Sequence, residues 1–273
     1  MLSFAQPAMV VVGAGIISYF STQIGIPFIV AFFLGIILTG VLGLILERTF
    51  LRPMVGEPVF SVAVLTIGID ILLRVVLDNW IGINPKYMGD PFPSYGNFGS
   101  FNIAGLTVKY LEVTALITAL MLIFVLSVFF KKSKYGVAMR ATSLDQEAAL
   151  AQGINVGRVF GLVWFIAGLL AAFAGFFITG GFNTLTNTSF ISALRALPAV
   201  VIGGLDSVTG AVVGSLIIGL TQAYVGYYQF DIESAYNIKL GNGFSIVAPY
   251  VIMFVILIVK PDGLFGTEEV ERV

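Results

Sequence analysis

The 273-residue sequence contains no cysteine and no histidine. Without thiols there are no disulfides and no thiolate chemistry. Without imidazole there is no Ser-His or Cys-His nucleophile pair, and most transition-metal sites lose their usual ligands. Any proton transfer would have to use Asp, Glu, Lys or Tyr. Charge is scarce too. Charged residues make up 11% of the chain against 58% hydrophobic, and the formal net charge is −1. Soluble domains carry roughly a quarter charged residues, and a soluble chain of this length could not hide so much apolar side chain. The composition specifies an integral membrane protein, expected from its long apolar runs to be all-α, and gives no indication of a nucleic-acid or acidic partner. Nucleotide motifs are missing as well: there is no G-x-x-x-x-G-K-[ST], and no G-x-G-x-x-G opening a helix after a strand. The chain is therefore expected to hold no cofactor, and any ATP would be bound by another chain. The opening "MLSFAQPAMVVVGAGIISYF" lacks the basic region of a cleaved signal peptide.

What the chain has is long apolar runs. A bilayer core about 30 Å thick needs roughly 20 apolar residues in a helix. Eight runs approach this: 5–20, 26–46, 59–77, 113–130, 159–179, 190–205, 210–228 and 244–259. The expected fold is a polytopic bundle of about eight transmembrane helices in one membrane domain, 1–273. The run 190–205 is short and contains Arg195 and Pro198, so a broken or re-entrant helix is expected there, packed on protein or lining a cavity. The longest external loop, 78–112, contains "NPKYMGDPFPSYGNFGS", which is turn chemistry.

Lys and Arg set the orientation. The loops 47–58 and 131–158, with the tail from Lys260, hold nine of the 14 basic residues, and the opposite loops hold Lys86, Lys109 and Lys239. The remaining two, Arg74 and Arg195, lie inside apolar runs. This bias places 131–158 in the cytoplasm, and an even number of spans puts both termini there. A re-entrant sixth segment would reverse everything after it.

Small residues recur at helix-packing spacing: Gly210 and Gly214 in "GAVVG", Gly168 with Ala172, and Ala171 with Gly175 in "AGLLAAFAG". Such positions let helix backbones approach closely, either inside one bundle or against a partner subunit. Asp70 and Arg74 stand at i, i+4 on one face of a helix and can pair. Membrane charges usually face protein or water, so the pair reads either as the lining of a solute path or as a structural ion pair, with Arg74 reaching toward the interface. Arg195, just before Pro198, could bind a solute carboxylate in a bidentate way, or be a structural or lipid-headgroup contact. Two membrane aspartates, Asp70 and Asp206, also raise an intramembrane protease. Their contexts, "IGID" and "GGLD", lack the Gly directly before Asp that such enzymes usually present.

The segment 143–158, "SLDQEAALAQGINVGR", is polar between two apolar runs. It reads as a short cytoplasmic helix with Ser143 as N-cap, acidic Asp145 and Glu147 in its first turn, and Gly153 as its stop. Ala148, Leu150, Ala151 and Ile154 supply an apolar side. A helix of this kind suits docking to a soluble protein, and the plain alternative is a connector.

"EAALAQG" (147–153) matches the EAA-x3-G pattern of the coupling loop in bacterial ABC importer permeases. Its surroundings, "KYGVAMRATSLDQEAALAQGINVGRVFGLVW", resemble the permeases of branched-chain amino acid ABC transporters. So do "LERTFLRPMVGEPVFSVAVLTIGI", the glycine-rich "ALPAVVIGGLDSVTGAVVGSLIIGL" and "KPDGLFG". The resemblance covers nearly the whole chain, and "ERTFLRP" favours the shorter of two paired subunits. It implies an ATP-driven importer in the bacterial inner membrane, not an enzyme in itself. The implied partners are a second permease subunit, two ATP-binding cassette subunits and an extracytoplasmic substrate-binding protein, with membrane lipid around them. It assigns ATPase coupling to Glu147, Ala148, Ala149 and Gly153, flanked by Arg140, Asp145 and Ile154. It identifies no solute contacts. Family members typically begin with a further span and a motif like "NFAHG", so a first helix is expected to be missing here, and Gln6-Pro7 stands where His-Gly is usual. Related permeases carry urea, short amides or sugars, and a stand-alone channel or secondary transporter is the rival of another class.

Overall fold

The computed structural model describes residues 3–81, 86–89, 99–103, 106–180, 184–185, 189–205, 207–237, 241 and 243–266. Asp206, Lys239 and most of the external loop before residue 99 lie outside the described residues. The chain divides into two compact units, Met1–Ala193 and Leu194–Val273.

The first unit is built on α1 (Gln6–Ser18), α2 (Phe28–Leu46), α3 (Val59–Ile81), α4 (Tyr110–Lys132), α5 (Lys134–Leu144), α6 (Gln146–Ala151) and α7 (Val156–Gly180), and also contains α8 (Ser189–Leu194) up to the unit boundary. Apolar runs become helices because backbone N–H and C=O groups in lipid must bond within their own segment. The breaks fall where the backbone is special. Gly25 at φ 77° and Pro27 separate α1 and its trailing π-helical turn (Tyr19–Gln23) from α2. At the other end α2 runs into a π-helical turn, Glu47–Leu51, which Pro53 closes through one turn of 3-10 helix.

Glycine decides which helices meet. Gly161, Gly168 and Gly175 recur every seven residues along α7. A Cβ on Gly175 would collide with the Val10 carbonyl of α1, and one on Gly168 with the Thr39 carbonyl of α2. The approach is reciprocal: a Cβ on Gly13 would lie 2.6 Å from the Ala172 Cα, and one on Gly43 would strike the Trp164 carbonyl. The core around this seam contains Met9, Val11, Ile17, Trp164, Ala171 and Phe176. At one end, β1 (Lys86–Tyr87) pairs antiparallel with β4 (Thr184–Leu185), and β2 (Ser100–Ile103) with β3 (Leu106–Lys109). Ser18 Oγ donates to the Tyr87 carbonyl at 2.5 Å and Ser21 Oγ to that of Met88 at 3.2 Å, which ties β1 to the end of α1.

The second unit contains α9 (Ala196–Gly203), α10 (Val208–Tyr236) and α11 (Phe244–Val259). Gly210 packs on Gly203, and a Cβ on Gly214 would collide with the Ala199 carbonyl. The "KPDGLFG" segment folds back onto the end of α9: Leu264 N–H donates to Ile202 O at 2.8 Å and Phe265 N–H to Gly203 O at 3.0 Å. Gly204 and Gly263, at φ 101° and 80°, make this approach possible.

Among the described residues, five helical stretches are long and apolar enough to cross a membrane: Phe28–Met54, Phe60–Trp80, Tyr110–Lys132, Val156–Gly180 and Val208–Ala235. Of the remaining three expected spans, α1 has 13 residues and α11 has 16, and the run 190–205 is broken at Arg195 between α8 and α9. Pro198 does not break it, because it sits in the first turn of α9, where its missing N–H is no loss. The seventh run extends past residue 228, to Tyr236. Its apolar count stops at "QFDIESAY", but the helix continues until Asn237 turns left-handed at φ 52°.

Candidate functional site

The polar segment after α4 folds as two short helices. Ser133 caps α5 by accepting from Gly136 N–H at 2.9 Å. The expected N-cap role of Ser143 is not observed. Ser143 lies inside α5, and its hydroxyl donates to the Arg140 carbonyl at 2.8 Å. The cap of α6 is Asp145, in extended conformation, whose Oδ1 accepts from Glu147 N–H at 2.9 Å and Ala148 N–H at 3.0 Å. A carboxylate is the better cap here, because its charge also offsets the N-terminal end of the helix dipole. The stop is as expected. Gly153 takes φ 80°, its N–H donates to Leu150 O at 2.9 Å, and Ile154 N–H donates to Ala149 O at 3.0 Å. These paired bonds are a Schellman motif, which ends a helix in a fixed geometry.

Six residues are too few for a helix to hold by propensity, so the caps and the contacts with α5 and α7 hold α6 in place. Ala149 alone in α6 is buried, at 3% exposure. Glu147, Ala148, Leu150 and Ala151 are exposed, as is Leu144 just before the cap, at 88%. The anticipated apolar side thus divides: Ile154 is half-buried, while Ala148, Leu150 and Ala151 face outward beside the Glu147 carboxylate. Arg140 is turned away from α6, its guanidinium donating to the Phe130 carbonyl at the end of α4. A capped helix with small outward residues, one large apolar side chain and one acid is chemically fit to seat in a groove of another protein.

The membrane charges are placed differently. Asp70 is buried at 7% exposure, and both of its oxygens are engaged. Oδ1 accepts from Ala8 N–H in the first turn of α1 at 3.1 Å, and Oδ2 lies 2.7 Å from Arg74 Nε. The Arg74 Nε–H makes no aligned hydrogen bond, so the contact is an ion pair. The guanidinium also lies 4.5 Å over the Phe190 ring. One turn earlier, Thr66 Oγ1 accepts from Phe4 N–H at 3.1 Å. The polar stripe of α3 thereby satisfies backbone donors at the start of α1, which would otherwise be orphaned in an apolar setting. Arg195 is half-buried at the break between α8 and α9, and its Nε has no hydrogen-bond partner among the described residues.

One charged pair had no reading as a site from sequence. Glu47 is fully buried, with Arg52 Nε 3.4 Å from Oε1, and Arg52 Nη2 also donates to Gly157 O at 3.1 Å. It ties "ERTFLRP" to the start of α7. The available signal was a lone Glu closing an apolar run.

Among the described residues there is no group of His, Cys, Asp or Glu able to hold a metal ion. Residues 1–259 match the family described as branched-chain amino acid transport system / permease component. The chain is 26% identical over 244 residues to the high-affinity branched-chain amino acid transport system permease protein BraD of Pseudomonas aeruginosa, covering 89% of this chain and 76% of BraD. It is 29% identical over 252 residues to LivH of Salmonella typhimurium, of the same description, covering 90% and 77%. A galactose/methyl galactoside import permease protein, MglC of Haemophilus influenzae, is 30% identical over 152 residues, covering 50% and 44%. No solved structure shows a significant match. The apolar helices and this match along nearly the whole chain agree, and the protein belongs to the family of branched-chain amino acid transport system permease components.

Proposed function

We propose that this chain forms part of the membrane path of an ATP-driven importer for branched-chain or related hydrophobic amino acids, and that α6 is the element through which a separate ATPase drives it. The observation that carries the reading is the form of α6: fixed at both ends by Asp145 and Gly153, seated by Ala149, and presenting Glu147, Ala148, Leu150 and Ala151 outward. A rigid, capped helix transmits a push that a loose connector would absorb. The loops rich in Lys and Arg put this face in the cytoplasm, where two ATP-binding subunits would dock. A second permease subunit would complete the path, and an extracytoplasmic binding protein would deliver the solute. The sugar reading is weaker, because the galactose permease match spans half of this chain while the branched-chain permeases span nine-tenths of it.

Of the three membrane charges, Arg195 fits a solute carboxylate, because its Nε is unsatisfied and it sits where the helix is broken. Asp70 and Arg74 instead brace α1. Replacing Glu147 with Lys is expected to abolish coupled uptake of radiolabelled leucine and to weaken co-purification of the ATPase, with the chain still monodisperse in detergent. Normal uptake with normal ATPase recovery in that variant overturns the docking role. Replacing Arg195 with Met is expected to lower uptake while ATPase recovery stays normal, and unchanged uptake removes Arg195 from the path.

A further inference from the structure

Where α2 ends and α7 begins, the first unit has an open cleft of about 520 Å³. Its rim carries the guanidinium-bearing residues Arg48, Arg52 and Arg158, and its floor is Leu44, Leu162 and Phe165. The α7 residues fall at positions 158, 161, 162 and 165, the one-face spacing of a helix. Gly161 keeps the floor open: a Cβ there would stand 3.0 Å from Leu44 Cδ1 and 3.3 Å from Glu47 Oε2. Three cations meet one buried carboxylate, and that carboxylate is engaged by Arg52. Among the described residues, the guanidiniums of Arg48 and Arg158 have neither an ion pair nor a hydrogen bond.

Cations gathered around a cleft repel one another unless an anion sits between them, and Arg presents a fork that matches phosphate oxygens. The apolar floor narrows the choice of anion. Ile37, Val41 and Leu44 lie along one face of α2 leading to Arg48, and are 51%, 37% and 40% exposed. That track runs from the middle of a membrane span to the cluster of charge at its end, on the side that holds the basic loops. A ligand matching both parts has an anionic head and an apolar tail.

We propose that this cleft binds an anionic membrane phospholipid, with its phosphate between Arg48, Arg52 and Arg158 and an acyl chain along Ile37, Val41 and Leu44. Basic pockets between transmembrane helices on the cytoplasmic side have the charge and depth for such headgroups. A soluble phosphate would have no use for the apolar track. Because Arg52 also holds the Gly157 carbonyl, the bound headgroup would sit directly beside the first turn of α7.

The test uses the chain purified in mild detergent with its co-expressed partner subunits, incubated with equal phosphatidylglycerol and phosphatidylcholine, and read by native mass spectrometry. The wild type is expected to retain phosphatidylglycerol in preference. The Arg48→Ala/Arg158→Ala variant is expected to lose that retention by about tenfold. Lys131→Ala/Lys132→Ala, which removes the same charge from the same side, is expected to keep it. Equal retention of the two lipids by the wild type overturns the proposal without reference to any variant. So does a matching loss in the Lys131/Lys132 variant. Displacement of the lipid by millimolar inorganic phosphate would mean the cleft reads phosphate alone. Retention seen only when the ATPase is absent would make the cleft a protein interface. Either result overturns the proposal.

Discussion

α4 and α7 are both long, apolar helices, 23 and 25 residues, each sufficient to cross a membrane. Their surroundings differ sharply. α7 buries eleven residues, and among them Gly161, Gly168, Ala172 and Gly175 face α1 and α2. α4 buries only Leu111, at its first turn, and leaves Leu116, Ile117, Leu120, Met121 and Phe124 between 58% and 69% exposed. Hydrophobicity does not separate the two, because lipid tails are as apolar as leucine and provide no drive for one apolar helix to leave them for another. Glycine does separate them. α4 contains none, its smallest packing pair being Ala115 and Ala119, while α7 carries glycine at every seventh position and has carbonyl oxygens of both α1 and α2 in contact.

Substitution breaks this contrast most sharply at Gly175. A Gly175→Leu side chain would meet the Val10 carbonyl and the Ala14 amide nitrogen. Overpacking of this kind costs about 3 kcal/mol or more. Loss of the monodisperse peak in fluorescence-detected size exclusion is the expected result, and a normal peak would mean α7 and α1 do not pack as described. Asp70→Ala comes next. It leaves Ala8 N–H unsatisfied and Arg74 unpaired in an apolar setting, and a destabilisation of about 2 kcal/mol follows from those losses. It would be read as a lowered melting temperature in detergent. An unchanged melting temperature together with lost uptake would return Asp70 to the solute path. On α4, Leu120→Val is expected to shift stability by less than about 0.5 kcal/mol, since the side chain is 58% exposed within this chain. A large effect there would reveal that a second subunit covers α4.

The legible part of the site was local. The stop at Gly153 follows from glycine's tolerance of positive φ, and a short helix within 143–158 follows from a polar segment with cap residues between apolar runs. Ser143 is not the cap because Asp145, two residues on, is as good a cap, and α5, packed beside α7, extends far enough to absorb Ser143. Asp70 and Arg74 were visible as a pair from their i, i+4 spacing. Ala8, the backbone donor that occupies the other Asp70 oxygen, lies 62 residues away in sequence and is invisible to any periodicity. Glu47 escaped notice as a site for the same reason: its partner Arg52 is local, but Gly157, which locks that partner in place, is 105 residues distant.

By itself, then, the sequence determined that this chain lives in a membrane, which segments are apolar enough to enter it, and which family it resembles. These follow from transfer free energies and local spacing, and both are properties of a segment alone. Only the tertiary structure decided which faces of equally apolar helices meet, that "KPDGLFG" returns to the end of α9, that Asp70 closes the start of α1, and that Arg48, Arg52 and Arg158 ring one cleft. Those outcomes depend on backbone approach and on unsatisfied polar groups finding partners far along the chain, and such pairings exist only once the helices have been brought together.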